Sequence, residues 1–274
     1  GIDATEVLFV TGLDKSLVEY MEPRENRAYT ARDFYAEDKI PKLLGQLNLQ
    51  REKLKETFSL CFIFLVPRYT MTYLVRKAPD FFDWRAGMWE FVSPQEEVQQ
   101  KSQQILQEGN YEQYLSWSSG QRRARIFEID DLVSDGHLSD GEIARLRFEQ
   151  GNIYVADRRY EEAVAAYDQA LAIKPDKHEA LNNKGYTLLK WDKLVAAKES
   201  LDKAFELKSE EPFLLESMAF YFLLSNDSDQ AIAYLTKSIN LDPSRKAAIV
   251  NVQDFGPLHQ DPRFQALIAS LEPD

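Results

Sequence analysis

One cysteine and three histidines in 274 residues exclude several chemistries at once. A single thiol allows neither a disulfide within the chain nor a cysteine zinc site. It lies in the apolar run Cys61–Phe62–Ile63–Phe64–Leu65, where the expectation is a small buried hydrophobe rather than a nucleophile. His137, His178 and His259 are scattered, with no Ser–His–Asp or metal-ligand spacing around them, so no enzyme, cofactor or metal is expected. No apolar stretch approaches the ~18 residues of a membrane span, and no signal peptide opens the sequence. Both absences lead to the expectation of a cytoplasmic protein that uses no membrane. Basic charge is scarce too. The formal net charge is -12, and residues 94–274 hold 20 of the 33 Lys and Arg against 31 of the 45 Asp and Glu. A surface of that sign repels phosphate backbones, which argues against nucleic acid as a partner. A hydrophobic content of 44% with 28% charged residues nevertheless suffices for packed globular domains.

What is present in abundance is repetition. From Ala144 to Arg245 the sequence lays out in three rows of 34 residues. Gly151, Gly185 and Ala219 share one column, and Ala163, Ala197 and Ala231 another. Tyr167, Leu201 and Leu235 form a third, followed by Ala170, Ala204 and Ser238. Pro175, Ser209 and Pro243 close the rows, with Pro212 acting as the stop after the middle one. Small residues in two columns allow paired helices to approach closely, and apolar residues between them recur at helical spacing, as in Ala163, Tyr167, Ala170 and Leu171. Proline at the end of a row turns the chain into the next pair. This pattern resembles the tetratricopeptide repeat (TPR), which implies an all-α solenoid with rows at 144–177, 178–211 and 212–245.

In TPR proteins the first helix of each row lines a concave groove through positions 2, 5, 9, 12 and 13. The resemblance places Arg145, Phe148, Asn152, Val155 and Ala156 there in the first row. Glu179, Asn182, Tyr186, Leu189 and Lys190 follow in the second row, and Phe213, Glu216, Phe220, Leu223 and Leu224 in the third. Asn152 and Asn183 resemble the amide pair by which such grooves hold an extended peptide, since an amide offers both donor and acceptor. Phe148, Phe213 and Ser217 stand where a carboxylate clamp would need lysine or arginine, so an apolar or mixed partner segment is expected. The expected partner-binding set is Arg145, Phe148, Asn152, Asn182, Asn183, Tyr186, Phe213, Glu216 and Phe220. Replacing Asn152 and Asn183 together is expected to weaken capture while leaving the fold intact.

Residues 1–93 read differently. Apolar runs at Val7–Thr11, Leu60–Val66 and Met88–Val92 predict three strands, and their lack of alternation predicts a parallel sheet covered on both faces. Helices are predicted over Ile40–Phe58, with Leu43, Leu44, Leu47, Leu54 and Phe58 as its stripe, and over Thr70–Lys77, ended by Pro79. Residues 22–37 read as loop. The order strand, helix, strand, helix, strand makes this a small α/β domain. It resembles the later half of an AAA-like, STAND-related bacterial P-loop ATPase domain, a parallel-sheet P-loop-like or Rossmann-like fold, through Val7–Asp14, Leu47–Glu52, Phe64–Pro67 and Ala78–Arg85. The departures are specific: Thr11 and Gly12 stand where a Walker B acid belongs, and no GxxxxGK[ST] occurs. Either the domain is partial, with its nucleotide site upstream, or it is degenerate and has lost nucleotide chemistry; the partial domain is the favoured reading. Asp80, Asp83, Trp84 and Arg85 read as structural, with Arg85 pairing locally.

Residues 94–143 are expected to supply connector helices that cover the first repeat. One is capped at Ser93–Pro94 and runs to Glu108, and the other spans Gln121–Val133 with Ile126, Ile129 and Val133 inward. Tyr111, Tyr114, Leu115 and Trp117 between them read as core. Asp130, Asp131, Asp135 and Asp140 lack the spacing of an EF-hand; Ser139 or Asp140 is expected to start the first repeat helix. Residues 246–274 are expected to cap the array with a helix over Lys246–Gln253 and another from Asp261 through Leu271, buried through Phe264, Leu267, Ile268 and Leu271. The functional expectation is a protein–protein interaction module without chemistry of its own. The alternative is a regulatory fragment of a bacterial signalling NTPase.

Overall fold

The computed structural model describes residues 6–11, 13, 42–57, 60–66, 71, 74–75, 78–83, 85–89 and 94–269. The expected loop at 22–37, Trp84, Ser93, Leu271 and most of Thr70–Lys77 lie outside the described residues. Packing divides the chain into two units, Gly1–Ser139 with Ala156–Arg159, and Asp140–Val155 with Tyr160–Asp274.

In the first unit β1 (Glu6–Val10) and β2 (Leu60–Phe64) pair in parallel, Val7 opposite Cys61 and Val10 opposite Phe64, with α1 (Lys42–Thr57) between them in sequence. The parallel pairing matches the continuous apolar runs. Among the described residues the sheet has these two strands, and a P-loop-like or Rossmann-like domain is not shown. The expected third strand fails at Met88 and Trp89, which are exposed coil, while residues 90–92 lie outside the described ones. The Trp89 ring folds back over Gly87, where a Cβ would sit 2.8 Å from it. A ring folded onto its own backbone does not stand out from a strand to pack against a neighbour.

Burial of both sheet faces is also corrected. Val7, Leu8, Phe9 and Leu65 are exposed, and so is Cys61, the register partner of Val7. The small core is formed elsewhere, by Leu13, Leu74 and Ala78 packing with Leu47, Phe64, Val66, Met71, Phe81 and Phe82. Pro79 opens a helix rather than ending one: α2 (Pro79–Asp83) starts there, because the N–H that proline lacks has no partner in a first turn. Arg85 pairs locally, donating to the Phe82 carbonyl at 2.9 Å and lying 3.9 Å over the Phe82 ring.

α3 (Gln95–Glu108), α4 (Tyr111–Ser116) and α5 (Ser119–Ser134) follow. Pro94 occupies the N-cap of α3 itself and supplies no side-chain cap, so the first turn relies on Glu96 and Glu97 near the positive end of the helix dipole. Ser118 and Gln121 close a capping box on α5. Ile126, Ile129 and Leu132 are buried there; Leu132 takes the place expected for Val133, because the stripe advances by three residues at that turn. The aromatic patch splits: Tyr114 is buried 5.1 Å from Trp117, whereas Tyr111 and Leu115 are exposed.

The second unit is built on helix pairs. α6 (Asp140–Ala156) and α7 (Tyr160–Ile173) form the first, α8 (His178–Lys190) and α9 (Leu194–Leu207) the second, and α10 (Pro212–Leu224) and α11 (Ser228–Leu241) the third. The small columns do what their size allows. A Cβ on Gly151 would meet the Tyr167 ring at 2.4 Å, one on Gly185 would meet Leu201 at 2.7 Å, and Ala163, Ala197 and Ala231 are fully buried. A column that the row reading missed lies in the inter-helix turns: Arg158, Asp192 and Asn226, 34 residues apart, all have φ near 60°. Each reverses the chain through the left-handed region, which non-glycine residues enter at a cost.

Beyond the third pair, α12 (Arg245–Asn251) is one residue earlier at its start and shorter than expected. It is followed by a 3-10 segment, Gln253–Gln260, and by α13 (Pro262–Ala269). Ile249, Phe255, Leu258 and Phe264 enter the core of the second and third pairs, with Leu267 and Ile268 against it. Gly256–Pro257 explains the interruption, since glycine and proline within one turn disfavour an α-helix.

Candidate functional site

The first helices α6, α8 and α10 carry the expected partner-binding residues, and neighbours within the chain engage several of them. Asn152 is buried. Its Oδ1 accepts from the Tyr167 hydroxyl at 2.8 Å and from Asn183 Nδ2 at 2.9 Å, while its Nδ2 donates to Glu149 at 3.3 Å. Both lone pairs of the carbonyl are therefore used. The two amides bind each other, and the expectation that both could be replaced without cost to the fold is withdrawn: Asn152→Ala strips the buried Tyr167 hydroxyl of this partner. Tyr167 is the residue that the row reading took as core alone. A tyrosine in a column otherwise held by Leu201 and Leu235 was the signal that a polar partner stood opposite.

Asn182, one residue before Asn183, is 7% exposed, and its buried Oδ1 accepts no hydrogen bond. Buried amide oxygens without a donor are rare and costly. Phe148 is half-buried, 5.9 Å from the Tyr167 ring and beneath the Lys177 ammonium at 4.5 Å; Arg145 is exposed.

The third pair presents a different surface. Phe213 is 54% exposed, with the Arg245 guanidinium 3.8 Å over its ring. Arg245 also grips Glu216 through two bonds of 2.8 Å, and this pairing raises the guanidinium pKa above its ordinary value. Phe220 is 7% exposed and packs between Tyr186 at 5.9 Å and Phe255 at 6.4 Å. Tyr186 donates its hydroxyl proton to Asp254 Oδ2 at 2.6 Å, and Lys190 donates to Asp254 Oδ1 at 2.6 Å. Sequence reasoning missed Arg245, Asp254 and Phe255. No period links them to α8 and α10, and Asp254 lies 68 residues from Tyr186.

Among the described residues, no group of three or more His, Cys, Asp or Glu is placed to hold a metal, and no helix is long and apolar enough to cross a membrane.

Family models match the helix pairs: a "TPR repeat" model over residues 151–190, and a "Tetratricopeptide repeat" model over residues 178–211 and 218–245. This chain carries tetratricopeptide repeats. Protein O-mannosyl-transferase TMTC3 of Homo sapiens is 31% identical over 96 residues, which are 35% of this chain and 10% of that protein. The chain thus spans about one tenth of the length of the curated relative it matches. Two solved structures of MamA, one of a point mutant and the other "MamA MSR-1 C2", are 16% and 15% identical, covering 54% and 55% of this chain and 97% of each of those, with a TM-score of 0.37 for both. Likeness at that score carries no argument about function.

Proposed function

We propose that this chain is a protein–protein interaction module, without catalysis of its own, and that its TPR first-helix face holds an extended segment of a partner. TPR units work by presenting such faces, and the observation that supports this use here is Asn182. Its Oδ1 is buried without a donor in the free chain, and turning the amide outward lets a backbone N–H of a bound segment supply one. Phe148, with Lys177 over its ring and Arg145 exposed on the same helix, provides an apolar contact and cations on α6 and at the start of α8. Asn152 takes a supporting role, holding Asn183 in place rather than touching the partner.

The test starts from peptides selected out of a displayed random library on the full chain. Asn182→Leu keeps the branched shape of the side chain and removes the orphan oxygen. It should therefore leave the urea midpoint unchanged or raised while weakening the selected peptides at least tenfold, roughly the worth of one hydrogen bond to a buried group. Peptides that bind Asn182→Leu as tightly as the wild type would move the site off this face.

A further inference from the structure

The Asp254–Phe255 contact is more than a cap, because it uses the residues of a binding face in the manner of a ligand. Tyr186 and Lys190 stand one turn apart on α8, and each donates to a different oxygen of the Asp254 carboxylate. The next residue, Phe255, sets its ring edge-on against Phe220, and Leu258 is buried three residues later. A carboxylate held by two donors, an aromatic ring beside it and an aliphatic side chain at a fixed interval make a short recognition sequence. The segment that supplies it is poorly held by its own backbone. Gln253–Gln260 is 3-10 throughout, with Gly256 and Pro257 at its middle, and a Cβ added at Gly256 would touch nothing within 4 Å.

We propose that this part of the TPR face is a docking site for a partner segment with one carboxylate followed directly by an aromatic residue, and that Gln253–Gln260 occupies it in cis as a removable strap. The proposal rests on the reading that the first-helix face binds segments, and it names the chemistry at one end of it. The surrounding charge narrows the partner further. With 31 acidic against 20 basic residues in 94–274, a run of acids is repelled, so the segment carries a single carboxylate for Lys190. Tethering gives the strap a millimolar-range effective concentration, so a free segment competes at a disadvantage until the strap lifts. Release of the strap is then the step that controls access.

The competing account is that 253–260 only fills the core and never leaves. A labelled peptide with the sequence of residues 252–260, capped at both ends, separates the two accounts. It is titrated against the full-length chain, Asp254→Ala, and Asp254→Ala with Phe255→Ser, each checked for helical circular dichroism. The expected result is binding at least tenfold tighter to a folded strap variant than to the wild type, lost again when Lys190→Ala is added. Asn182→Leu should leave this affinity unchanged, so the strap site and the Asn182 site stand or fall separately. If Phe255→Ser prevents folding, Asp254→Ala alone decides. A folded strap variant that does not bind the peptide, binds it no better than the wild type, or binds it regardless of Lys190 would overturn the proposal.

Discussion

Position 9 of the three rows holds Asn152, Tyr186 and Phe220, and the same geometric place does different work at the two ends of the array. At the first pair an amide turns inward and is used up by Tyr167 and Asn183. At the third pair a phenylalanine is buried between Tyr186 and Phe255, under the chain's own carboxy-terminal segment. One end is held by neutral hydrogen bonds and the other by apolar burial with ion pairs around it. Across the rows the approach of the helices stays constant while the chemistry of the position-9 column varies.

The strongest way to break this comparison is to truncate the column at both ends. Phe220→Ala should cost about 3–5 kcal/mol, as for other buried aromatics cut to alanine. Asn152→Ala should cost about 2–3 kcal/mol, chiefly from the Tyr167 hydroxyl and Asn183 amide left without this acceptor. Urea denaturation measures both. Equal losses, or a larger one for Asn152, would mean that the ends do not differ as described.

The small columns sharpen it next. Gly151→Ala places a Cβ 2.4 Å from the stiff Tyr167 ring, whereas Gly185→Ala meets the more adaptable Leu201 at 2.7 Å. Overpacking of roughly 1–3 kcal/mol should outweigh the ~1 kcal/mol that alanine gains in helix propensity, and by more at Gly151. A stabilised Gly151→Ala would show that the Tyr167 ring swings aside, and with it the hydrogen bond to Asn152.

These two sets of variants also mark what the sequence disclosed. Gly151, Gly185, Ala163, Ala197 and Ala231 were legible because helix contact demands small residues at a fixed interval, and period is visible in a row. The parallel strands at Val7 and Leu60 were legible from apolar continuity. The exposure of Cys61 and Phe9 was not, since burial depends on what packs over a strand and not on the strand's own composition. At the candidate site the first-helix residues could be named from their positions. Whether each was free could not, because Asp254 reaches Tyr186, and Arg245 reaches Glu216, through contacts that follow no period.

A smaller effect is expected in the turns. Arg158 has φ of 58° and Asn226 of 61°, but asparagine tolerates the left-handed region and arginine does not. Arg158→Gly should raise stability by up to about 1 kcal/mol, after the entropy cost of glycine is subtracted, and Asn226→Gly by only a few tenths. Paired thermal melts distinguish the two. No gain at Arg158 would mean that its side chain contributes contacts worth as much as the strain.

The smallest expected effect separates the two ends by pH. Asp261 accepts from the Arg263 side chain and from the Arg263 backbone N–H at the start of α13, and these bonds, the side-chain one first, hold its carboxyl down to about 2. Arg263 also pairs with Asp229 on α11, which ties the last helix to the third pair. A carboxyl whose folded pKa lies below its unfolded value of about 3.9 contributes stability that is complete above the unfolded pKa. That contribution fades as pH falls toward 2. The two hydrogen bonds that Asn152 Oδ1 accepts, from Tyr167 and Asn183, involve no group that titrates in this range, which leaves acid only the longer Asn152–Glu149 bond to act on, so the carboxy-terminal end should loosen before the first pair. Hydrogen exchange followed from pH 5 to pH 2, after correction for intrinsic rates, should show protection lost in α13 ahead of α6, with Asp261→Asn abolishing the difference. The Asp261 carboxyl carbon, followed by NMR, should titrate near 2. A midpoint near 4, with α6 and α13 losing protection together, would place the stability of the covered end in its buried phenylalanines alone.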